Sequence, residues 1–248
     1  TTPEKTYVLR RKPPGVLLKS AHAIDREFRV QKALAGTDVP VADMLLLCED
    51  DSVIGTMFYV MEHVSGRHFD DPSLPGHTKE DRAAIFDEMN RVLAALHGVD
   101  LDVVGLSDFG APGAYVARQI DRWTKQYRAS ETETIADMDA LITWLNDNVH
   151  LDDGQRTLVH GDYRIDNMIF ERDRPRVAAV LDWELSTLGH PIADLAYQIM
   201  QWRMPVGPEG RGLAGLDRPS LGIPTEEEYV ARYCDRRGLS GISDFGFF

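Results

Sequence analysis

Apolar positions along this chain alternate between short dense runs and stretches with helical spacing, and the switches mark out its elements. Residues 6–10, Thr-Tyr-Val-Leu-Arg, predict a strand. A helix follows over residues 20–36, with Ser20 as N-cap and Gly36 as terminator. Ile24, Phe28, Gln31 and Leu34 share one side of it, which leaves Glu27 at the inward edge. Two apolar runs, 43–50 and 55–61, flank the turn signal Glu49-Asp-Asp-Ser52 and predict an antiparallel hairpin. Glu62-His-Val-Ser-Gly66 then breaks the pattern, and His63 reads as a packing or surface residue.

From Thr78 the spacing becomes helical. Thr78 and Asp81 resemble a capping box with Asp in place of Glu, and Ile85, Met89, Val92, Leu93 and Leu96 form a core stripe ending near Gly98. Further helices are expected over 113–128 and 134–149, the second with Ile135, Met138, Leu141, Ile142 and Leu145 on one side. Residues 157–159 predict a short strand running into a polar loop, 168–170 turn apolar again, and 176–182 form another apolar run ending in a carboxylate. Gly189-His-Pro191 predicts a turn before a helix over 192–202. A final helix over 225–237 carries Thr225 and Glu228 as a capping box. The Pro/Gly-rich segment 204–224 has no clear period. A structureless span of that length is unusual in a compact domain; its Arg211, with the neighbouring Arg203 and with Arg218, either meets an anionic substrate or sits on a solvated loop.

Composition narrows the function classes. With 248 residues, 43% hydrophobic and 27% charged, the chain has an ordinary globular make-up. A formal net charge of −13 argues against a phosphate-backbone partner, so no nucleic-acid role is expected. No apolar run approaches the roughly 20 residues needed to cross a bilayer, residues 1–12 are too charged for a signal-peptide core, and a cytoplasmic location is expected. Cys48 and Cys234 have no paired spacing, so neither a disulfide framework nor a zinc site is suggested.

The chemistry concentrates in Leu158-Val-His-Gly-Asp-Tyr-Arg-Ile-Asp-Asn-Met-Ile-Phe170. Phosphoryl transfer needs an Asp to orient and deprotonate a hydroxyl and an Asn five residues on to hold Mg²⁺; Asp162 and Asn167 meet that spacing. A second metal-holding Asp should end a nearby strand, and Asp182 does so. Mg²⁺ prefers hard oxygen ligands, which these residues supply. His160 belongs to the catalytic set chiefly by building the loop through bonds to backbone or to Asp182. Arg164 either neutralises phosphate or pairs with Asp162 or Asp166. Asp166 and Asp194 are read as structural, the latter at a helix N-terminus. Glu184 reaches either the metal site or the following loop.

The run His160-Gly-Asp-Tyr-Arg-Ile-Asp-Asn167, followed by Leu181-Asp-Trp-Glu-Leu-Ser-Thr-Leu-Gly-His-Pro-Ile-Ala-Asp-Leu195, resembles the aminoglycoside phosphotransferase and choline-kinase type of small-molecule kinase. Tyr7-Val-Leu-Arg-Arg-Lys-Pro13 with Ala21-His-Ala-Ile-Asp-Arg-Glu27 is similar to the kinase-like domain that some acyl-CoA dehydrogenases carry. The resemblance implies an α+β, two-lobed protein-kinase-like fold, with a small sheet-containing lobe over 1–62 and a mainly helical lobe over 63–248. It places Arg10, held by Glu27, on the phosphates of ATP, with Arg11 or Lys12 able to share the role, and puts backbone groups of Glu62 and Val64 against the adenine. It implies ATP and Mg²⁺ as cofactors, a hydroxyl on a small molecule as acceptor, and an association with acyl-CoA dehydrogenase chemistry that favours a hydroxyacyl compound or its CoA ester.

Two features depart from that pattern. No Gly-rich phosphate-covering loop precedes Tyr7, and relatives continue into further helices past Phe248. Either the sequence is part of a longer chain or the loop has been lost, and the second case puts nucleotide binding in doubt. A catalytically silent kinase-like binding module is therefore the first alternative. A metal-dependent phosphohydrolase using His160, Asp162, Asp182 and His190 is the second.

Overall fold

The computed structural model describes residues 5–12, 24–207 and 211–248. Three strands, β1 (Tyr7–Arg11), β2 (Met44–Cys48) and β3 (Phe58–Glu62), form an antiparallel sheet in the order β1-β3-β2. Side chains alternate across a strand, and in β1 this turns Val8 and Arg10 to the covered face while Leu9 and Arg11 stay exposed. That alternation selects Arg10 over Arg11 as the inward cation. Helix α1 (Ile24–Leu34) lies on this face and ends as expected at Gly36, whose φ of +83° suits glycine. The Ser20 cap lies outside the described residues.

Helix α1 is shared between two cores. Ile24, backed by Phe28, packs with Met44 and Tyr59 of the sheet, whereas Val30 and Leu34 join the large core of the helical region. That core centres on α2 (Lys79–His97), whose Ile85, Phe86, Met89, Val92, Leu93 and Leu96 are completely buried. Each such side chain contributes on the order of 1.5–3 kcal/mol through removal from water. Thr78 caps α2 by accepting from the Asp81 N–H, and Gly98 closes it. Helix α7 (Glu226–Arg237) begins with the complete Thr225/Glu228 capping box and crosses α2, where Asn90 Nδ2 donates to the Tyr229 carbonyl at 2.8 Å.

Two small hairpins carry the polar loop. Strand β4 (Thr157–Val159) pairs with β7 (Thr187–Gly189), and β5 (Met168–Phe170) with β6 (Val177–Val180), both antiparallel. Gly189 thus closes a strand rather than a turn; His190, as N-cap of α5 (Pro191–Arg203), makes the change of direction. The described residues of segment 204–224 are also more ordered than their composition suggests. Leu213 is buried, Pro205 bridges Ala214, and a short helix α6 (Arg218–Leu221) sits near its end. Arg218 donates to the Trp202 and Leu213 carbonyls and Arg203 pairs with Glu226, so both are tied to local structure; Arg211 instead pairs with Asp166 at 2.9 Å.

Helices α3 (Tyr115–Ser130) and α4 (Ala136–Asn148) depart from expectation in a different way. The apolar side of α4 is present, yet none of its residues is buried, and Leu141 and Trp144 remain 46% and 44% exposed. These two helices pack on each other and border a cavity instead of filling the core. Among the described residues, no helix is long and apolar enough to cross a membrane.

Chain leaving β3 is pinned to the β5 hairpin by reciprocal bonds, Arg67 N–H to the Phe170 carbonyl at 2.7 Å and Phe170 N–H to the Arg67 carbonyl at 2.8 Å. Gly66 permits this approach, since a Cβ there would meet the Phe170 carbonyl oxygen at 2.2 Å and Ile169 Cγ2 at 2.4 Å. Gly66→Ala should therefore lower the unfolding free energy by about 1–3 kcal/mol through overpacking, measured by urea denaturation. An unchanged midpoint would show that the two segments separate without cost.

Candidate active site

The loop between β4 and the 3-10 turn Ile165–Asn167 is shaped by backbone constraints before any chemistry. Gly161 adopts a φ of +85°, and a Cβ there would come within 2.9 Å of the Leu185 carbonyl oxygen. The N–H groups of His160 and Gly161 both donate to the Asp194 carboxylate, at 2.6 and 2.8 Å. Asp194 sits in the first turn of α5 and is buried, and its Oδ2 also lies 3.4 Å from His97 Nε2 on α2. His97 Nδ1 in turn meets the Tyr233 hydroxyl of α7 at 2.8 Å. Burial pushes the Asp194 carboxyl up, but the His97 ring and the loop N–H groups pull it down by more, so it lies below its ordinary range.

The His160 ring is committed on both sides. Nδ1 accepts from the Asp162 N–H at 3.2 Å, so the proton of the neutral ring sits on Nε2 and is donated to the Leu181 carbonyl at 2.8 Å. Burial holds its pKa below the ordinary histidine value, in keeping with a neutral ring. His160 therefore joins the Asp162 loop to the strand end before Asp182 and has neither a lone pair nor a proton to offer a substrate. Of the two contacts expected of it, His160 makes the one to backbone and not the one to Asp182.

Asp162 is surrounded by donors. Asn167 Nδ2 donates to its backbone carbonyl at 2.8 Å and to Oδ2 at 3.0 Å, which leaves Asn167 Oδ1 turned away from the carboxylate. The Tyr197 hydroxyl of α5 donates to Oδ1 at 2.6 Å. Arg164 lies close, with Nε 3.0 Å from Oδ1, but the buried Nε is not aligned for a hydrogen bond and the contact is an ion pair. Arg164 also reaches Asp166, at 3.4 Å. Both pairings open to it from sequence, with Asp162 and with Asp166, are formed.

Asp182 lies two residues past the end of β6, in the left-handed region with φ of +62°, a rare conformation for a non-glycine residue. Its Oδ1 accepts from Arg10 Nη2 at 2.8 Å, while Arg10 Nε lies 2.8 Å from Glu27 Oε2 and Nη2 3.7 Å from Glu184 Oε2. The Arg10–Glu27 pair expected between strand and helix is thus formed. Glu27 is only 1% exposed and also accepts from the Tyr59 hydroxyl at 3.0 Å. Burial raises the Glu27 carboxyl above its usual range against the opposing pull of Arg10 and Tyr59. Arg26, next to Glu27, donates to the carbonyls of Phe109 and Ser186 and so fastens α1 near the segment after Asp182. The two clusters meet through backbone, since the Leu181 N–H donates to the Asn167 carbonyl at 2.8 Å.

Asp162, Arg164 and Asn167 therefore form one constellation and Arg10, Glu27 and Asp182 the adjoining one, with His160 between them. Glu62 and Val64 lie apart, where the chain leaves the sheet. The Glu62 N–H donates to the Asp43 carbonyl and its carboxylate pairs with Lys5, and neither residue hydrogen-bonds to the two constellations among the described residues. His190 belongs to neither group: its Nε2 faces Asp153 Oδ1 at 2.9 Å, with Asp152 3.9 Å away. Its Nδ1 accepts from the Ile192 N–H, which puts the proton on Nε2, the atom a metal would need. With His160 and His190 both committed, the four-ligand phosphohydrolase arrangement is not formed.

A cavity of about 420 Å³ opens beside the loop, between α3, α4 and α5. Ile120, Trp123, Leu141, Leu145 and Phe247 give it mainly apolar walls, and Gly161 and Tyr197 form its boundary with the Asp162 cluster. Sequence patterning identified neither this cavity nor Tyr197, which lies inside an ordinary helical stretch.

Replacing Asp194 by Ala should orphan the buried His160 N–H and the part-buried Gly161 N–H and lower the unfolding free energy by roughly 1–4 kcal/mol, measured by urea denaturation. The buried histidines predict a pH effect of defined sign. His97 and His160 have folded pKa values depressed by burial, so their contribution is present above the unfolded value of about 6.5 and lost as pH falls below it. Asp194, also depressed, acts in the same direction at lower pH. Urea unfolding should give a smaller free energy near pH ~5.5 than near pH ~7.5, and a flat profile would contradict neutral buried rings.

Comparison with known proteins bears on family and fold. The phosphotransferase enzyme family (APH) model matches residues 1–231. Acyl-CoA dehydrogenase family member 10 from Mus musculus is 51% identical over 247 residues, covering 99% of this chain and 23% of that protein, and family member 11 from Mus musculus is 48% identical over 250 residues, covering 98% and 32%. The chain thus spans about a quarter to a third of the length of these curated relatives. A crystal structure of a protein from Ralstonia eutropha JMP134, provisionally described as an aminoglycoside phosphotransferase, superposes with a TM-score of 0.92 at 54% identity, covering all of this chain and 73% of that one. At 19% identity, the aminoglycoside phosphotransferase APH(4)-Ia in ternary complex with AMP-PNP and hygromycin B shares the fold, with a TM-score of 0.63 and coverage of 96% and 78%. The fold is the two-lobed, protein-kinase-like α+β arrangement, and the chain belongs to the phosphotransferase enzyme family.

Proposed function

We propose that this protein transfers the γ-phosphoryl group of ATP to a hydroxyl on a small molecule, with Mg²⁺, and that the acceptor is a hydroxyacyl compound or its CoA thioester. The observation that carries the reading is the junction of Asp162 with Asn167 at 3.0 Å, joined through the Leu181 N–H to the strand end bearing Asp182. Asp162 orients the acceptor hydroxyl and takes its proton as the bond to phosphorus forms. The donors around its carboxylate keep it in one orientation, so the base acts mainly by position.

The metal assignment is supported by the donor atoms. Asn167 Nδ2 is spent on Asp162, leaving Oδ1, and Asp182 retains Oδ2 beside its contact with Arg10. An amide oxygen with a carboxylate suits Mg²⁺, which favours hard oxygen ligands and keeps several waters. Bound there, Mg²⁺ would draw off charge developing on the transferring phosphoryl group. Arg10, set by Glu27, contributes positive charge to the same phosphates and exchanges its contact with Asp182 for them. Backbone groups of Glu62 and Val64 meet the adenine, where the sheet-containing lobe of residues 1–62 joins the helical lobe of 63–248.

The acceptor assignment draws on the apolar cavity bordered by Gly161 and Tyr197 and on relatives named for acyl-CoA dehydrogenases. Walls formed by Ile120, Trp123, Leu141 and Leu145 suit an aliphatic chain better than a polycationic amino sugar. An acyl-CoA dehydrogenase is the partner activity this substrate class implies.

Hydroxy acids, their CoA esters and amino sugars incubated with Mg-ATP should yield a phosphorylated product only among the hydroxyacyl compounds, detected by mass spectrometry. Phosphate appearing on amino sugars alone would overturn the acceptor assignment. Asp162→Asn should reduce turnover by about 10²- to 10⁴-fold while leaving Mg-ATP affinity essentially unchanged, read by steady-state kinetics and calorimetry. Retained turnover would remove Asp162 as the base.

A further inference from the structure

The apolar cavity and the Asp162 carboxylate are joined through Tyr197, which stands on α5, lines the cavity and donates its hydroxyl to Asp162 Oδ1 at 2.6 Å. We propose that Tyr197 is a positioning residue for the transfer: its hydroxyl fixes the plane of the Asp162 carboxylate, and its ring guides the acceptor along the cavity to that carboxylate. The assignment rests on the phosphotransferase reading above and adds to it a residue from outside the loop motif.

A carboxylate rotates easily about its terminal torsion, whose energy wells are broad. One directed donor leaves that rotation open, and two donors on different oxygens close it. Asn167 supplies the donor to Oδ2. Arg164 does not supply the second, since its Nε is misaligned at Oδ1 and its Nη2 is long, 3.4 Å, from Oδ2 and equally far from Asp166. Tyr197 does, and with two side-chain torsions on a packed helix it is stiffer than the arginine. Burial, and then the contact with Asp162, push its hydroxyl pKa up to about 12, so it remains a protonated donor near neutral pH.

Through the step Tyr197 keeps its proton. The acceptor oxygen forms a bond to the γ-phosphorus, the acceptor's proton passes to Asp162, and the bond from the γ-phosphorus to the β–γ bridging oxygen breaks, its electron pair leaving with ADP. Nothing else is consumed. Tyr197 thus sets where the base points without joining the exchange of bonds.

Two substitutions separate the roles of hydroxyl and ring. Tyr197→Phe keeps the cavity wall and removes the donor. Its kcat should fall about 10- to 100-fold, with acceptor KM and Mg-ATP affinity unchanged. Tyr197→Leu should lose kcat similarly and raise acceptor KM as well. The assay uses the acceptor found in the mass-spectrometric screen, or Mg-ATP alone with water as acceptor and ADP release as readout. Tyr197→Phe turning over like the wild-type protein overturns the role of Tyr197 and leaves the phosphotransferase reading intact. A wild-type protein that turns over neither hydroxy compounds nor water overturns that reading, and the role of Tyr197 with it. Should Tyr197→Phe fail to fold, 3-fluorotyrosine at this position retains shape while altering donor strength; changed kcat at constant KM supports the proposal, and no change rejects it.

Discussion

A buried carboxylate without partners is costly, and the candidate site is built around making one inexpensive. Asp194 lies in the interior of the helical region, yet it accepts from two consecutive N–H groups of the loop after β4 and faces the His97 ring. Those donors replace the water it gave up. The same bonds determine the loop, because the peptide groups on either side of His160 can satisfy Asp194 only with Gly161 in its left-handed turn. Through His97 and Tyr233 the arrangement extends to α2 and α7, so the position of Asp162 depends on packing across most of the helical region.

The second cluster obeys different physics. Arg10 pairs with Glu27, Asp182 and Glu184, and Glu27 is almost completely buried. Burial penalises Glu27, and Arg10 offsets part of that penalty.

Much of this was legible in the sequence where a function depends on local spacing. Asp162 and Asn167 lie five residues apart on one loop, Asp182 ends an apolar run, and Arg10 and Glu27 occupy inward positions of a strand and a helix. In each case a short-range rule carries the information. Asp194, read only as a residue near a helix N-terminus, gave no sign of clamping residues 34 positions earlier. Tyr197 was invisible for the same reason, since an aromatic residue within a helix ordinarily signals packing. The apolar side of α4 shows the opposite limit: periodicity reports that a face is apolar, but not whether the space before it is filled by protein or left as a cavity. Glycine and proline between 204 and 224 marked a break in periodicity, while the tertiary contacts of Leu213 and Arg218 supplied the order.

Helix α1 belongs to both cores, with Ile24 and Phe28 seated on the sheet and Val30 and Leu34 inserted among the helices. A rod clamped at both ends resists hinging across its middle, because bending would unpack one grip or the other. Any opening between the sheet and the helices would then proceed with α1 moving as a rigid lever, and Glu27, in its first turn, would carry the guanidinium of Arg10 toward or away from Asp182. Cleft width and charge balance would thereby become a single mechanical coordinate.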